Sequence, residues 1–260
     1  MDLADLREYT PGDDVRYIDW NVTARTDTPH VRQYNEDREI TAWFLLDLSP
    51  SVDFGSTNAD KRDVLVGFVG LLTRLLTRHG NRVGAIFYGG EVERVIPPQG
   101  GRNHVLYILN TLLNAPRLDS SPPTSLSDLL STAAKVIRRR SLVFLISDFY
   151  SEPGWERHLG NLAQRHEILA VRVFDPLEME LPDLGMLLMS DRESGEQILV
   201  DTHNRGFRRR FAEAAEAHEA ALRRGLAKAG VDGLEISTRD DLLESIVKYA
   251  ALRKQMAGRR

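Results

Sequence analysis

The chain has 260 residues, 42% of them apolar and 28% charged, with a formal net charge of −4. These values are ordinary for a globular protein, and the small negative charge gives no electrostatic reason to expect nucleic acid binding. The absence of cysteine excludes disulfide bonds, thiolate catalysis and cysteine-based zinc sites.

The first 40 residues are polar and densely charged. The acidic amino terminus lacks the apolar core of a signal peptide, and no apolar stretch approaches the roughly 20 residues of a membrane-spanning helix. We therefore expect a cytoplasmic protein. Pro11-Gly12 and Asp27-Thr28-Pro29 predict turns, and residues 31–34 are predicted as a short strand. Residues 1–40 are predicted as an irregular segment that packs on a single domain spanning residues 41–260.

From residue 41 onward, short apolar strands alternate with amphipathic helices. The predicted strands are 41–48, 83–88, 92–96, 141–149, 167–175 and 233–237. The predicted helices are 60–79, 102–114, 126–139, 155–165, 205–229 and 241–254. This alternation predicts an α/β fold with a doubly wound, mostly parallel sheet, in which 92–96 is one antiparallel edge strand. A β-hairpin inserted at about 181–202 interrupts it, with strands 186–189 and 197–200 flanking Ser194-Gly195.

The first strand of the domain ends in a cluster of oxygen-bearing side chains. Asp47 closes the apolar run, and Ser49 and Ser51 follow at alternate positions. Residues two apart in an extended backbone point to the same side, so these side chains can converge beyond the strand end. A carboxylate and two hydroxyls suit a hard cation such as Mg²⁺ and do not suit Zn²⁺.

Two more residues fall where such a site needs them. Asp148 ends another predicted strand, and Thr124 lies in the polar loop before a helix, so both can reach the same edge of the sheet. Each has a structural alternative. Thr124 or Ser125 can serve as a helix N-cap with Asp128 completing a capping box, and Asp148 can cap the helix after its strand. Taken together, the order of these residues on this fold favours a metal site.

These motifs resemble those of known families. The Asp-x-Ser-x-Ser sequence, the loop threonine and the later strand-end aspartate are similar to the metal-ion-dependent adhesion site of von Willebrand factor A (VWA) domains. The segments "REYTPGDDVRYIDWNVTAR" and "DPLEMELPDLG" resemble the bacterial family of domain of unknown function 58 (DUF58). The resemblance covers nearly the whole chain. That family's usual stretch before "REYTPGDD" is almost absent, so we expect Met1 to be a truncated or misassigned start.

The resemblance implies a site for Mg²⁺ or Mn²⁺. Ser49 and Ser51 match the residues that bind the ion directly, and Asp47, Thr124 and Asp148 match those that bind it directly or through water. One residue departs from the pattern, because many VWA domains have Asp-Gly where this chain has Asp148 followed by phenylalanine.

The ligand set favours binding over turnover. Two carboxylates only neutralise a divalent cation, which keeps a position open for an acidic residue of a partner. The motifs hold no evident general base, so we expect no enzyme activity. The DUF58 resemblance implies a metal-dependent protein-binding adaptor that works with a MoxR-type AAA+ ATPase to remodel or mature other complexes.

Two alternatives stay open. A haloacid dehalogenase-type phosphatase also has an aspartate after strand one, but it needs a second aspartate where this chain has Ser49. The other alternative is a scaffold with a degenerate metal site.

Overall fold

The structure is a computed structural model that describes residues 2–35, 40–56, 59–118, 121–190 and 197–257. The chain divides into two compact units, Met1–Glu39 and Ile40–Arg260.

The amino-terminal unit contains more regular structure than its sequence predicts. Its elements are strand β1 (Asp2–Glu8), a short 3-10 helix (Val15–Tyr17), helix α1 (Trp20–Thr26) and strand β2 (His30–Asn35). Strands β1 and β2 pair antiparallel. The prediction of a short strand at 31–34 located β2, whereas β1 and α1 were missed because neither carries a clear apolar period. Asp19 caps α1 by accepting hydrogen bonds from the backbone N–H groups of Asn21 and Val22.

The larger unit is built on a six-stranded sheet. Its strands, with two that form a separate hairpin, are β3 (Thr41–Asp47), β4 (Arg82–Tyr88), β5 (Val92–Gln99), β6 (Leu142–Ser147), β7 (Glu167–Phe174), β8 (Met186–Ser190), β9 (Gln197–Asp201) and β10 (Asp232–Ser237). The strand order is β10-β7-β6-β3-β4-β5, and all neighbours are parallel except β4 and β5. The predicted doubly wound sheet with one antiparallel edge strand is confirmed.

Helices cover both faces of this sheet. They are α2 (Lys61–Arg78), α3 (Arg102–Leu113), α4 (Leu126–Val136), α5 (Trp155–Ala163), α6 (Arg205–Ala229) and α7 (Leu242–Ala257). Alternate residues of β3 point to opposite sides. Phe44 and Leu46 pack with α2, α3 and α7, whereas Trp43 and Leu45 pack with α4, α5 and α6. Helix α4 was predicted to extend to residue 139, but it ends where Ile137 turns to an extended conformation and is buried.

Strands β8 and β9 form the expected antiparallel hairpin. The predicted turn at Ser194-Gly195 lies outside the described residues. Apolar side chains on both strands are exposed, among them Met186, Leu188, Ile198 and Leu199.

The chain reverses direction across the sheet between β3 and β6. From β3 it continues to β4 on one side, and it later enters β6 on the other side of β3. Leu46 of β3 lies opposite Ile146 of β6, so the residues that follow these two strands share one edge. In open α/β sheets, ligands bind beyond the carboxyl ends of the strands at such a switch point.

One buried arginine ties together the loops at this edge. Arg62 donates hydrogen bonds to the carbonyl oxygens of Leu48, Ala115 and Pro116 at 3.2, 3.2 and 3.3 Å. Its Nε lies 2.6 Å from Asp53 Oδ1, and both side chains are almost fully buried. Arg62 therefore holds the segment after β3 against the loop after α3.

Replacing Arg62 with leucine should destabilise the fold by about 3 kcal/mol, because the buried Asp53 carboxylate would lose its main counter-ion. Arg74 is exposed on the same helix, so Arg74→Leu is the matched control and should change stability by less than about 0.5 kcal/mol. Urea denaturation of the two variants measures the difference. Equal stability of both variants would contradict the role given to Arg62.

Candidate functional site

The side chains that follow β3 converge as the spacing predicts. Asp47 and Ser49 are fully buried, and Ser51 is partly exposed. Asp47 Oδ1 accepts a hydrogen bond from the Ser49 backbone N–H at 3.0 Å, and the Ser49 and Ser51 hydroxyl oxygens lie 3.1 Å apart. From the neighbouring strand, Ser147 Oγ donates to Asp47 Oδ2 at 2.5 Å. These bonds hold the carboxylate and place the two hydroxyl oxygens side by side.

Asp148 follows β6 at the same edge and is also fully buried. Its Oδ1 accepts a hydrogen bond from the Tyr150 backbone N–H at 3.1 Å. The turn passes through Phe149, which has a left-handed φ of 63° and packs its ring on Trp155 at 5.5 Å between centroids. Asp148 does not cap the next helix, because the N-cap of α5 is Gly154. Its carboxylate is therefore turned to other partners.

Thr124 is fully buried in the loop before α4. Its carbonyl oxygen accepts hydrogen bonds from the Ser151 hydroxyl and the Glu152 backbone N–H, both at 2.9 Å. These bonds join its loop to the one that follows Asp148. The helix N-cap is Ser125, whose side chain accepts from the Asp128 N–H, so the capping role considered for Thr124 belongs to its neighbour.

The two carboxylates share a buried, electrically unfavourable environment. Burial, together with repulsion from Asp148, raises the pKa of Asp47 from 3.8 to about 6, although the hydrogen bonds from Ser147 and Ser49 act in the opposite direction. When burial and a neighbouring carboxylate disfavour the ionised form of a carboxyl group, a nearby cation stabilises that ionised form strongly. The site therefore has the electrostatics of a cation-binding site.

A lysine and a glutamate complete the cluster, and the sequence analysis missed both. Lys61 Nζ donates hydrogen bonds to Asp148 Oδ2 at 2.7 Å and to Glu178 Oε1 at 2.5 Å. Burial lowers the pKa of Lys61, but the two carboxylates outweigh it and bring the pKa above its ordinary value. Glu178 lies within the segment that carries the DUF58 resemblance, which was the available signal. For Lys61 the sequence offered no signal apart from its position just after the helix cap Asp60.

The donor set fits a hard divalent cation. In the part of the chain that the structure describes, no group of three or more His, Cys, Asp or Glu side chains is arranged to hold a metal. A metal here would draw on hydroxyl oxygens as well as carboxylates, a combination that suits Mg²⁺ or Mn²⁺. Asp47, Ser49, Ser51 and Asp148 meet at one edge, and the Thr124 loop is bonded to it. Their role as metal ligands stays a prediction.

Comparison with known proteins supports the fold. A family model described as protein of unknown function DUF58 matches residues 5–221. An uncharacterised protein of Mycobacterium tuberculosis is 39% identical over 253 residues, or 96% of this chain and 79% of the relative. The conserved hypothetical protein BatB from Bacteroides thetaiotaomicron has 14% identity and a TM-score of 0.55, over 84% of this chain and 99% of BatB.

The VWA domain of SpRpn10 also matches, with 12% identity and a TM-score of 0.45, over 80% of this chain and 94% of that domain. The match to BatB supports the doubly wound α/β fold that the sequence predicts. None of the helices in the described residues combines the length and apolar character needed to cross a membrane.

The raised pKa of Asp47 predicts a pH dependence of stability in metal-free buffer. Between about pH 4 and 6 the folded protein keeps a proton on Asp47 that the unfolded chain releases, so the contribution of Asp47 to the free energy of unfolding falls as the pH rises through this window. The full loss, reached above about pH 6, is roughly 3 kcal/mol.

Asp47→Asn removes this charge. It should raise the free energy of unfolding at pH 7.5 in EDTA by about 1–3 kcal/mol and remove the contribution of Asp47 to the pH dependence between pH 4 and 6. The exposed Asp232→Asn is the control and should behave as the wild type. Urea titrations at several pH values test this, and an Asp47→Asn protein less stable than wild type at pH 7.5 would contradict it.

Proposed function

The chain belongs to the DUF58 family, and we propose that it is a protein-interaction module whose binding site contains a divalent metal ion, Mg²⁺ or Mn²⁺. The observation that carries the proposal is the burial of Asp47 and Asp148 together at the switch point of the sheet, beside the paired hydroxyls of Ser49 and Ser51. Three carboxylates, those of Asp47, Asp148 and Glu178, share the single positive charge of Lys61. This excess of buried negative charge favours a further cation, and the hydroxyls supply neutral oxygen ligands.

Ser49, Ser51 and Thr124 would supply hydroxyl oxygens to the ion, and Asp47 and Asp148 would supply its negative charge. When bound, the ion would act as a Lewis acid with affinity for one further anionic oxygen. Two carboxylates leave it neutralised but not over-neutralised, so an aspartate or glutamate of a partner protein is a suitable last ligand.

We propose binding rather than catalysis. The position two residues after Asp47, where a haloacid dehalogenase-type phosphatase needs its acid/base aspartate, holds Ser49. Lys61 is fully buried and engaged by two carboxylates, so it is poorly placed to act as a general base. No observation favours the phosphatase alternative over the interaction module.

The DUF58 resemblance supports one partner in particular, a MoxR-type AAA+ ATPase or a client of such an ATPase. We propose that this chain acts as an adaptor whose metal ion binds an acidic residue of that partner. The cytoplasmic location expected from the sequence suits this role and stays a prediction.

Metal binding should stabilise the folded protein. An ion that binds only the folded state at about 100 times its dissociation constant adds roughly 2.7 kcal/mol, which for a chain of this size raises the melting temperature by roughly 5–10 °C. We expect this shift with Mg²⁺ or Mn²⁺ in thermal denaturation of the wild type.

The double variant Ser49→Ala and Ser51→Ala should lose the shift, whereas Ser190→Ala, at an exposed position on β8, should keep it. An absence of any shift for the wild type at 10 mM Mg²⁺ and at 1 mM Mn²⁺ would count against the metal and favour the degenerate scaffold.

Partner binding should depend on the same residues. We expect a purified MoxR-type ATPase, held without nucleotide, to bind the wild type in Mg²⁺ and to lose at least tenfold in affinity with the double serine variant. The variant arm separates loss of this site from any effect of chelation on the ATPase. Biolayer interferometry measures the binding. Binding that persists both in EDTA and with the serine substitutions would contradict metal-dependent binding of the partner.

A further inference from the structure

A lysine ammonium group is paired with one of the carboxylates of the candidate site. Lys61 is the first residue of α2, and its side chain is fully buried. Its Nζ lies 2.7 Å from Asp148 Oδ2 and 2.5 Å from Glu178 Oε1. One of the predicted metal-site carboxylates is therefore already paired with a cation that belongs to the chain itself.

This position is unfavourable for a lysine on general grounds. The amino-terminal end of a helix carries a partial positive charge and repels cations, and fully buried lysines occur almost only when they are paired. The rings of Phe54 and Tyr150, with centroids 6.0 and 5.7 Å from Nζ, offer weak further attraction. The two carboxylates must supply most of the stabilisation that keeps Lys61 buried.

Glu178 is held in place independently of Lys61. Its Oε2 accepts a hydrogen bond from the Asp175 backbone N–H at 3.0 Å. Asp175 Oδ2 in turn accepts from the Ser56 N–H at 2.8 Å and from the Thr238 hydroxyl at 2.7 Å. Glu178 is thus a fixed second acceptor that shares the ammonium group with Asp148.

We propose that Lys61 sets the metal affinity of the candidate site by competing with the ion for Asp148, and that Glu178 limits this competition by holding part of the ammonium charge. The inference rests on the proposed metal site and adds its regulation. Without metal, Lys61 compensates Asp148 and keeps the site folded. With metal, the same charge opposes the ion, so the ion binds less tightly than the oxygen ligands alone would allow.

Substitutions of Lys61 and Glu178 should change the affinity for Mg²⁺ in opposite directions. Lys61→Met removes the competing cation and should tighten Mg²⁺ binding by about tenfold, because a unit charge this close to a ligand oxygen offsets much of its attraction for the ion. Glu178→Gln leaves the whole ammonium charge to Asp148 and should weaken Mg²⁺ binding several-fold. Lys135→Met, at an exposed position on α4, is the matched control and should leave the affinity unchanged.

The test is a Mg²⁺ titration of the full chain and of each variant. Isothermal titration calorimetry measures the affinity, and the melting temperature measures the stabilisation. Lys61→Met should melt lower than wild type in EDTA and gain more from Mg²⁺. If it does not fold, Glu178→Gln still decides, since it keeps Lys61 and must weaken binding.

Unchanged affinity in either folded variant, with a wild type that binds Mg²⁺, would overturn the role of Lys61 and leave the proposed function standing. Binding by Lys61→Met alone would support the competition in its strongest form. If neither the wild type nor Lys61→Met binds Mg²⁺ or Mn²⁺, both the inference and the proposed metal site fail.

Discussion

The arrangement of this molecule depends on two carboxylates that are kept close together and away from water. Parallel pairing of β3 and β6 in register places Asp47 and Asp148 at the same edge, and the helices on both faces exclude solvent from them. Because the two carboxylates repel each other, the surrounding groups must stabilise their negative charge. Backbone N–H groups, the Ser147 hydroxyl and the Lys61 ammonium group all direct positive charge at these oxygens.

The same constraint explains the segment at residues 175–185, one of the two strings that carry the family resemblance. Its first residue, Asp175, joins the loop after β3 to the loop after β10 through Ser56 and Thr238. Its fourth residue, Glu178, meets Lys61. The segment therefore both fastens the loops around the site and contributes a charge to it, which gives a physical reason for its distinctive sequence.

Features of the fold and the site that depend on residues close together in the chain were predictable from the sequence. Features that depend on contacts between distant residues were not. The apolar run of β3 and the two-residue period of Asp47, Ser49 and Ser51 are local patterns, and they predicted the strand and the convergence beyond it. Amphipathic helices between apolar strands predicted the layered fold. The lysine cluster was not predictable, because Lys61 meets partners 87 and 117 residues away in the chain and no periodicity reports such pairs. Strand β1 of the amino-terminal unit was missed because its charged residues conceal an apolar period.

The turn after β6 shows how one backbone requirement can be met in two ways. Phe149 adopts the left-handed conformation that glycine takes without strain, a cost of about 1 kcal/mol for a residue with a β-carbon. Its buried ring, tilted against the ring of Trp155, contributes more stabilisation than that through packing. A motif search that demands glycine at this point would pass over such chains. Recognition of related domains should rest on the torsion angle the turn needs and on the space available for a side chain, rather than on the letter that usually fills it.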